Sequence, residues 1–83
     1  MSSVNLAERL AEKLRKLRAE TGLSQVLMAR RLRISRSTLN RLEVASQNTT
    51  LRTLDQLCRA LKCEPGDLFD QQRDGEVRRR LRL

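Results

Sequence analysis

The chain has no histidine, tryptophan or tyrosine, and only one phenylalanine and one proline among its 83 residues. Histidine is the side chain that most often serves as acid or base near neutral pH. Its absence, together with the lack of a glycine-rich phosphate loop, argues against an enzyme. The scarcity of aromatic residues also argues against binding of single-stranded nucleic acid, which relies on stacking. No cofactor is implied.

The only cysteines are Cys58 and Cys63. Two thiols without histidine supply too few ligands for a zinc site, so no metal is expected. A disulfide between positions five apart is awkward within one helix. Cys58 falls on the apolar face of a predicted helix, which indicates a reduced, buried thiol.

Long apolar runs are also missing, and no signal peptide is visible, so we expect a cytoplasmic protein with no membrane association. The chain has sixteen leucines but few valine, isoleucine, tyrosine or phenylalanine residues, which are the types that strand-rich domains use. This composition predicts an all-α fold. The length allows one small domain, and chains this short often gain stability by dimerising. The net charge of +8 suits a polyanion such as nucleic acid, with a merely soluble basic surface as the alternative.

The first helix is predicted to begin after Asn5, which has the spacing of a capping box with Glu8. Leucines then recur at helical spacing, at Leu6, Leu10, Leu14 and Leu17. The opposite face is charged, with Arg9, Lys13, Lys16 and Glu20. Gly22 is expected to end the helix in a left-handed conformation. The stripe has too few heptads for a coiled coil, so we interpret it as core.

The stretch from Gln25 to Glu43 indicates two short helices joined by a tight turn. Ser24 and Ser35 are placed to cap them, because a serine hydroxyl accepts from backbone N–H groups of the first turn. Met28 and Leu32 share one face of the first helix, and Leu39 and Leu42 share one face of the second. The other face of the second helix is polar and basic, which is the chemistry needed to recognise base edges in a major groove.

This stretch resembles the helix-turn-helix of the Cro and phage-repressor class of transcription regulators, often called the XRE family. The resemblance covers roughly residues 10–69. The matching residues are Leu23, Ser24, Gln25, Ala29, Ile34, Ser35, Ser37, Thr38, Leu39, Arg41, Leu42, Glu43, Asn48, Thr49, Thr50, Leu51 and Leu54.

The resemblance implies a compact five-helix, repressor-like DNA-binding domain over residues 5–69, with helices 2 and 3 as the helix-turn-helix. Residues 1–4 are expected to be flexible, and residues 70–83 form a basic C-terminal tail. The tail alternates apolar residues with arginine, so it is predicted to be an edge strand, a further phosphate contact or disordered chain.

Roles in DNA binding follow from the same resemblance. Gln25 is expected to contact a phosphate and the first base pairs, although an ordinary solvated residue is the alternative. Arg36 and Arg41 are expected to recognise guanine and Asn40 adenine. The predicted DNA-binding set is Ser24, Gln25, Ser35, Arg36, Ser37, Thr38, Asn40, Arg41, Gln47, Asn48 and Thr49.

Five arginines and no acid lie between positions 30 and 41. Because they lie on the helix-turn-helix, we expect these arginines to contact DNA phosphates, with an ordinary solvated surface as the alternative. Arg18 and Glu43 match positions that form a buried ion pair in related repressors, so the resemblance implies that pairing here. It would make Glu43 structural.

The chain departs from the family pattern at the turn and at an exposed face. Arg33 stands where glycine is usual, so it must adopt a left-handed conformation or use another turn. Ala45 also replaces a common glycine. Val26 and Leu27 occupy positions that are commonly polar, and they either form a partner surface or pack on the first helix.

Thr50 is predicted to cap a fourth helix that buries Leu51, Leu54, Leu57 and Leu61. Residues 64–69 resemble a short fifth helix with Pro65 in its first turn. Phe69 is interpreted as a core residue or a dimer contact.

Two functions fit these features. The first is a sequence-specific regulator, most simply a repressor that binds a palindromic operator in double-stranded DNA as a homodimer. The second is the antitoxin of a toxin–antitoxin pair, which would bind a toxin protein and autoregulate its operon. Small antitoxins of the HigA and HipB type share this helix-turn-helix.

Overall fold

The computed structural model describes residues 5–45, 49–69 and 74–82. Within these ranges the chain forms helices and no strand, which confirms the all-α prediction. The elements are α1 (Leu6–Thr21), α2 (Gln25–Leu32), α3 (Arg36–Glu43), α4 (Leu51–Leu61), a 3₁₀ helix (Pro65–Leu68) and α5 (Asp74–Arg82). The predicted flexible N-terminus, residues 1–4, lies outside the described residues.

A polar capping residue directly precedes each of the first four α-helices, as predicted. Its side chain accepts a hydrogen bond of 3.0–3.1 Å from the backbone N–H three residues later, which satisfies one orphan donor of the first turn. These residues are Asn5, Ser24, Ser35 and Thr50. The 3₁₀ helix has Pro65 in its first turn, also as predicted.

Three helices end at a residue in the left-handed conformation. Gly22 ends α1 with φ 73°, as predicted. Arg33 ends α2 with φ 59°, so the turn keeps the left-handed geometry although it lacks glycine. Lys62 ends α4 in the same way, with φ 52°. Ala45, which follows α3, also has a positive φ of 54°.

The core is built from leucines that all five α-helices and the 3₁₀ helix contribute. Partly buried residues, Phe69 among them, pack around it. The buried apolar residues are Leu10, Ala11, Leu14, Leu17, Met28, Ala29, Leu32, Leu39, Leu42, Leu57, Cys58, Leu61, Leu68, Val77 and Leu81. Burial of Cys58 agrees with its prediction, and both cysteines are free thiols.

Two leucines expected in apolar stripes are exposed. Leu51 was predicted to be buried but is 83% exposed, and Leu6 is 56% exposed. Both occupy the first position of a helix, so they have fewer neighbours. Leu51 is six residues from Leu57, which places it about 120° around the helix, at the edge of the buried face.

Lys13 was placed on the charged face of α1 but is only 6% exposed. Its Nζ donates to the carbonyl oxygen of Asp67 at 3.1 Å, at the 3₁₀ helix. The aliphatic part of the lysine can pack on apolar neighbours while the ammonium group reaches a polar partner. The buried arc of α1 is therefore wider than the leucine stripe indicated.

The tail was the weakest part of the prediction. A strand or disordered chain was expected over residues 70–83, and the structure instead has the helix α5. Val77 and Leu81 are four apart and so share one helical face, and both are 1% exposed. The helix packs against α1, α2 and α4, and this apolar contact outweighs the period-two pattern of the sequence.

Candidate functional site

The helix-turn-helix is formed by α2, the turn at Arg33 and α3. Leu39 is fully buried and Leu42 is 7% exposed, so this side of α3 faces the core against α1 and α2. The opposite side of α3 faces solvent. It carries Arg36, Ser37, Asn40 and Arg41, with Thr38 half-buried beside them.

Gln25, the first residue of α2, connects that helix to the exposed face of α3. Its Nε2 donates to Oδ1 of Asn40 at 3.3 Å and to Oε1 of Glu43 at 3.1 Å. Its Oε1 accepts from Nε of Arg36 at 3.2 Å. Gln25 therefore orients two of the predicted base-reading side chains, in addition to lying at the N-terminus of α2 where an anion is favoured.

Glu43, the last residue of α3, is held by α1. Nε of Arg18 lies 2.8 Å from Oε2 of Glu43, and Nη2 lies 3.2 Å from Oε1. Glu43 is 4% exposed, and the Arg18 side chain is about a third exposed. Arg15 donates from Nη1 to the main-chain carbonyl of Glu43. The end of α3 is thus tied to α1 through both its side chain and its backbone.

Arg15 and the bond from Gln25 to Glu43 are the parts of this arrangement that sequence reasoning missed. A signal for Arg15 was present, because Arg15 and Arg18 are three residues apart and lie on the same side of α1. The link through Gln25 joins residues far apart in the sequence, and no local pattern predicts it.

Three of the five hydroxyl residues of the predicted set, Ser24, Ser35 and Thr38, make hydrogen bonds at helix termini. The Ser24 hydroxyl accepts from Leu27 N–H at 3.1 Å. The Ser35 hydroxyl accepts from Thr38 N–H at 3.0 Å and donates to Oγ1 of Thr38 at 2.8 Å. Ser24 and Ser35 are exposed, so the N-termini of α2 and α3, where an anion is favoured, are open to solvent.

The arginine cluster divides into two groups. Arg31 donates from Nη1 to the carbonyl oxygen of Leu81 at 2.6 Å, so it holds α5. The others have exposed positions around the helix-turn-helix, with no acid between them in the sequence. They are Arg30, Arg33, Arg36 and Arg41.

The loop after α3 is only partly described. Gln47 and Asn48, both predicted to contact DNA, lie outside the described residues. Thr49 is half-buried and directly precedes Thr50, the cap of α4. Val26 and Leu27 are 46% and 42% exposed, so each side chain keeps nearly half of its surface open to solvent.

The rest of the described chain offers neither a metal centre nor a membrane span. Within residues 5–45, 49–69 and 74–82, no three side chains of His, Cys, Asp or Glu lie close enough to hold a metal ion. No helix in those ranges has the length and apolar character needed to cross a bilayer.

Comparison with protein families matches residues 9–72 to a family described as "Helix-turn-helix domain". No curated protein matches the chain, and no solved structure does.

Proposed function

Because the chain belongs to the helix-turn-helix domain family, a family of DNA-binding regulators, we propose that it is a sequence-specific transcriptional repressor of the Cro and phage-repressor class. It acts on double-stranded DNA in the cytoplasm. The observation that carries this proposal is the polar, basic outer face of α3, which Gln25 and Glu43 hold in place.

The dimensions of α3 fit a major groove. An α-helix with its side chains is about 10–12 Å in diameter, and the major groove is about 12 Å wide. Bonds at both ends fix the helix, through Gln25 and through the Arg18–Glu43 ion pair. A rigid reading helix loses little conformational entropy on binding, which favours affinity.

Base recognition in this proposal depends on Arg36 and Arg41. Each guanidinium can donate two parallel hydrogen bonds to guanine O6 and N7. Gln25 accepts from Nε of Arg36 only, and the two other nitrogens of that guanidinium are further donors. Asn40 is assigned to adenine and keeps its amide nitrogen for that contact, because Gln25 uses its oxygen. Ser37 and Thr38 are assigned to adjacent base edges or phosphate.

Phosphate contacts would supply most of the affinity. Contacts with the DNA phosphates are assigned to two helix N-termini, that of α2 at Ser24 and Gln25 and that of α3 at Ser35. The exposed arginines Arg30 and Arg33 are assigned to the phosphates as well. The same role is assigned to the residues after α3, at Gln47, Asn48 and Thr49. Binding that neutralises several phosphates falls steeply with salt, so a strong salt dependence is expected.

The functional unit is proposed to be a homodimer on a palindromic operator. One turn of DNA separates the half-sites of such an operator by about 34 Å. One subunit measures 38 × 27 × 22 Å. These dimensions are of the same order as the separation of the half-sites, which is compatible with two copies side by side on the duplex.

The test is fluorescence anisotropy with a duplex from upstream of the protein's own gene and a scrambled duplex of equal length. The double variant Arg36→Ala/Arg41→Ala is expected to lose at least about thirtyfold in affinity for the upstream duplex, since each bidentate contact contributes about 1–3 kcal/mol. Arg9→Ala/Arg79→Ala removes the same charge from exposed positions of α1 and α5. This control should keep the preference for the upstream duplex.

Each outcome has a distinct meaning. If the wild type and the control variant prefer the upstream duplex and the Arg36→Ala/Arg41→Ala variant does not, base recognition by α3 is supported. Equal binding of both duplexes would reduce the protein to a non-specific basic binder at that site. If neither duplex is bound near physiological salt, the protein does not regulate its own gene by binding this upstream site.

The exposed pair Val26 and Leu27 favours a second candidate, an antitoxin. Two adjacent apolar side chains, each more than 40% exposed, are suited to a protein partner. The product of a neighbouring gene would then co-purify with the chain, and Val26→Asp/Leu27→Asp would abolish co-purification. Leu6→Asp, an exposed leucine on α1, is the matched control. Absence of a co-purifying protein would refute this candidate.

A further inference from the structure

Cys58 and Cys63 meet at the C-terminal end of α4. The helix ends at Leu61, and Lys62 turns the chain away in the left-handed conformation, with φ 52° and ψ 48°. The backbone N–H of Lys62 donates to the carbonyl oxygen of Arg59 at 3.3 Å, and that of Cys63 donates to the carbonyl oxygen of Cys58 at 3.0 Å. These two bonds form a Schellman motif, in which the side chains that flank the turn commonly contact each other.

The two thiols contact each other across this turn. The thiol of Cys63 donates a hydrogen bond to the sulfur of Cys58, and both cysteines are free of disulfide bonds. Their spacing of five residues is awkward for a bridge within one helix, but Cys63 lies beyond the end of α4. The left-handed turn removes that obstacle, so the fold presents two adjacent sulfur atoms that one ligand can bridge.

Both thiols line an open cleft of about 750 Å³ between α4, the 3₁₀ helix and α5, which we call the α4 cleft. This volume lies within the range of small-molecule sites. Beside the thiols, the lining is apolar at Leu51, Leu54 and Pro65. A small molecule can therefore reach the two sulfurs from solvent, and the α4 cleft has room for an organic group attached to it. None of the lining residues belongs to α3.

The surroundings of the two thiols favour sulfur without charge. Burial is the main cause that raises the pKa of both thiols, and the negative charge of Asp67 adds to it. A complex that leaves negative charge on the sulfurs is therefore disfavoured, which argues against a soft monovalent cation between two thiolates. A linear divalent ion would hold the sulfurs on opposite sides of the metal, farther apart than two hydrogen-bonded thiols. A neutral, bent bridge between the sulfurs satisfies both conditions.

We propose that Cys58 and Cys63 form a dithiol site for a trivalent arsenic compound that carries one organic substituent. Trivalent arsenic bonds two sulfurs at a bent angle and needs only these two protein ligands, whereas a structural zinc ion needs four. The organic substituent lies against the apolar lining at Leu54 and Pro65. The site lies away from α3, and the proposal does not depend on DNA binding.

The binding reaction is a condensation without any redox change. Two As–OH bonds of the hydrated compound break and two As–S bonds form. The two thiol hydrogens leave with the two hydroxyl groups as two molecules of water. The product is neutral, so the burial that disfavours a thiolate does not oppose it.

The experiment uses phenylarsine oxide with the folded full chain, in a large excess of the monothiol glutathione, followed by mass spectrometry of the intact protein. We expect one arsenic per chain, retained in glutathione and removed by the dithiol dithiothreitol. Cys63→Ser should bind the compound at least about a hundredfold more weakly, because the second As–S bond of the wild type forms within one molecule. Cys63 is half-buried and serine is close to it in size, so circular dichroism should show an unchanged fold.

Two controls test the placement of the thiols. Cys63→Ser/Ser37→Cys keeps two thiols but moves one to the exposed face of α3, and it should bind as weakly as Cys63→Ser. The wild type in urea should bind at least about tenfold more weakly than the folded protein, because the unfolded chain must first close the loop between the cysteines.

Three results would overturn the proposal. The first is a wild type that retains the compound no better than Cys63→Ser does. The second is two arsenic atoms per chain, which would mean that each thiol reacts alone. The third is equal binding in the folded and the urea-unfolded wild type, because the fold would then contribute nothing to the site.

Discussion

Glu43 is a buried carboxylate at an unfavourable place, because the C-terminal end of a helix carries partial negative charge. Three partners compensate. Arg18 makes two charge-assisted hydrogen bonds to the carboxylate, and Gln25 donates a third. Arg15 donates a hydrogen bond to the main-chain carbonyl of Glu43. The same contacts that stabilise the charge fix α3 relative to α1 and α2, so stability and the orientation of the reading helix depend on the same few atoms.

Arg18→Ala is expected to lower the free energy of unfolding by about 2–3 kcal/mol. This is below the roughly 3–5 kcal/mol of a fully buried pair because the Arg18 side chain is about a third exposed. Urea denaturation followed by circular dichroism measures it. Arg9→Ala, an exposed arginine on the same helix, should change stability by less than about 0.5 kcal/mol. Equal effects of the two substitutions would contradict the role given to the ion pair.

The thiols of Cys58 and Cys63 have raised pKa values. Burial is the main cause for both residues, and for Cys63 it acts together with the neighbouring Cys58 thiol and Asp67 to raise the pKa from 9.0 to about 11. The folded state therefore favours the protonated thiol of Cys63. The stability that comes from this preference is fully present below pH 9, the pKa of the thiol in the unfolded chain. It is lost as pH rises through about 11.

Alkylation of Cys63 by iodoacetamide at pH 8 should accordingly be about a hundredfold slower in the folded protein than in urea, since only the thiolate reacts. Mass spectrometry of proteolytic peptides separates the rate at Cys63 from that at Cys58, so both thiols stay in place. Similar rates in the folded and unfolded states would show that the thiol is not protected.

At the C-terminal end of three helices, a main-chain carbonyl accepts a hydrogen bond from an arginine side chain of another helix. Arg15 of α1 caps α3 at Glu43, Arg31 of α2 caps α5 at Leu81, and Arg80 of α5 caps α4 at Leu61. The last carbonyls of a helix have no intrahelical partner, and a cation also complements the dipole there. Part of the basic charge of the chain therefore holds its helices together instead of facing a polyanion.

The turn between α2 and α3 is strained at one residue. Both helices have eight residues, too few to be stable in isolation, so their caps, packing and turn geometry must agree. Arg33 has φ 59° and ψ 42°, a conformation that costs a non-glycine residue about 1–2 kcal/mol.

Arg33→Gly should therefore raise the free energy of unfolding by about 1 kcal/mol relative to Arg33→Ala. Both variants lose the same charge, and only glycine relieves the backbone strain. Thermal and urea denaturation of the pair measure the difference. Equal stability of the two variants would mean that the turn adopts another conformation in solution.

At the scale of the whole molecule, α5 completes the core. Val77 and Leu81 enter it, and Arg78 reaches Glu20 of α1 with Nη1 2.5 Å from Oε1. The bond from Arg31 to Leu81 connects this helix to the helix-turn-helix itself. The stability of the DNA-reading unit thus includes residues beyond the part of the chain that resembles the family.

Leu81→Ala should lower the free energy of unfolding by about 2–5 kcal/mol, as truncation of a fully buried leucine does. Arg79→Ala, on the exposed side of α5, is the control and should be nearly neutral. A neutral Leu81→Ala would indicate that α5 does not belong to the folded core.

The sequence by itself determined the elements of the first two-thirds of the chain. Serine and threonine at the right spacing predicted where α2, α3 and α4 begin, and leucine periodicity predicted most of the core. These features are local, since a cap involves residues three apart and a helical stripe residues three or four apart. The exposed face of α3 followed from the same periodicity.

Only the tertiary structure decided the outcomes that depend on a distant neighbour. Val77 and Leu81 form a helical face because α1, α2 and α4 offer an apolar surface to it, whereas Leu51 remains exposed because none of the described residues covers it. The hydrogen bonds of Gln25 to α3 and of Arg15 to Glu43 likewise join separate helices. Local spacing cannot predict such contacts, because they form only after the helices have packed.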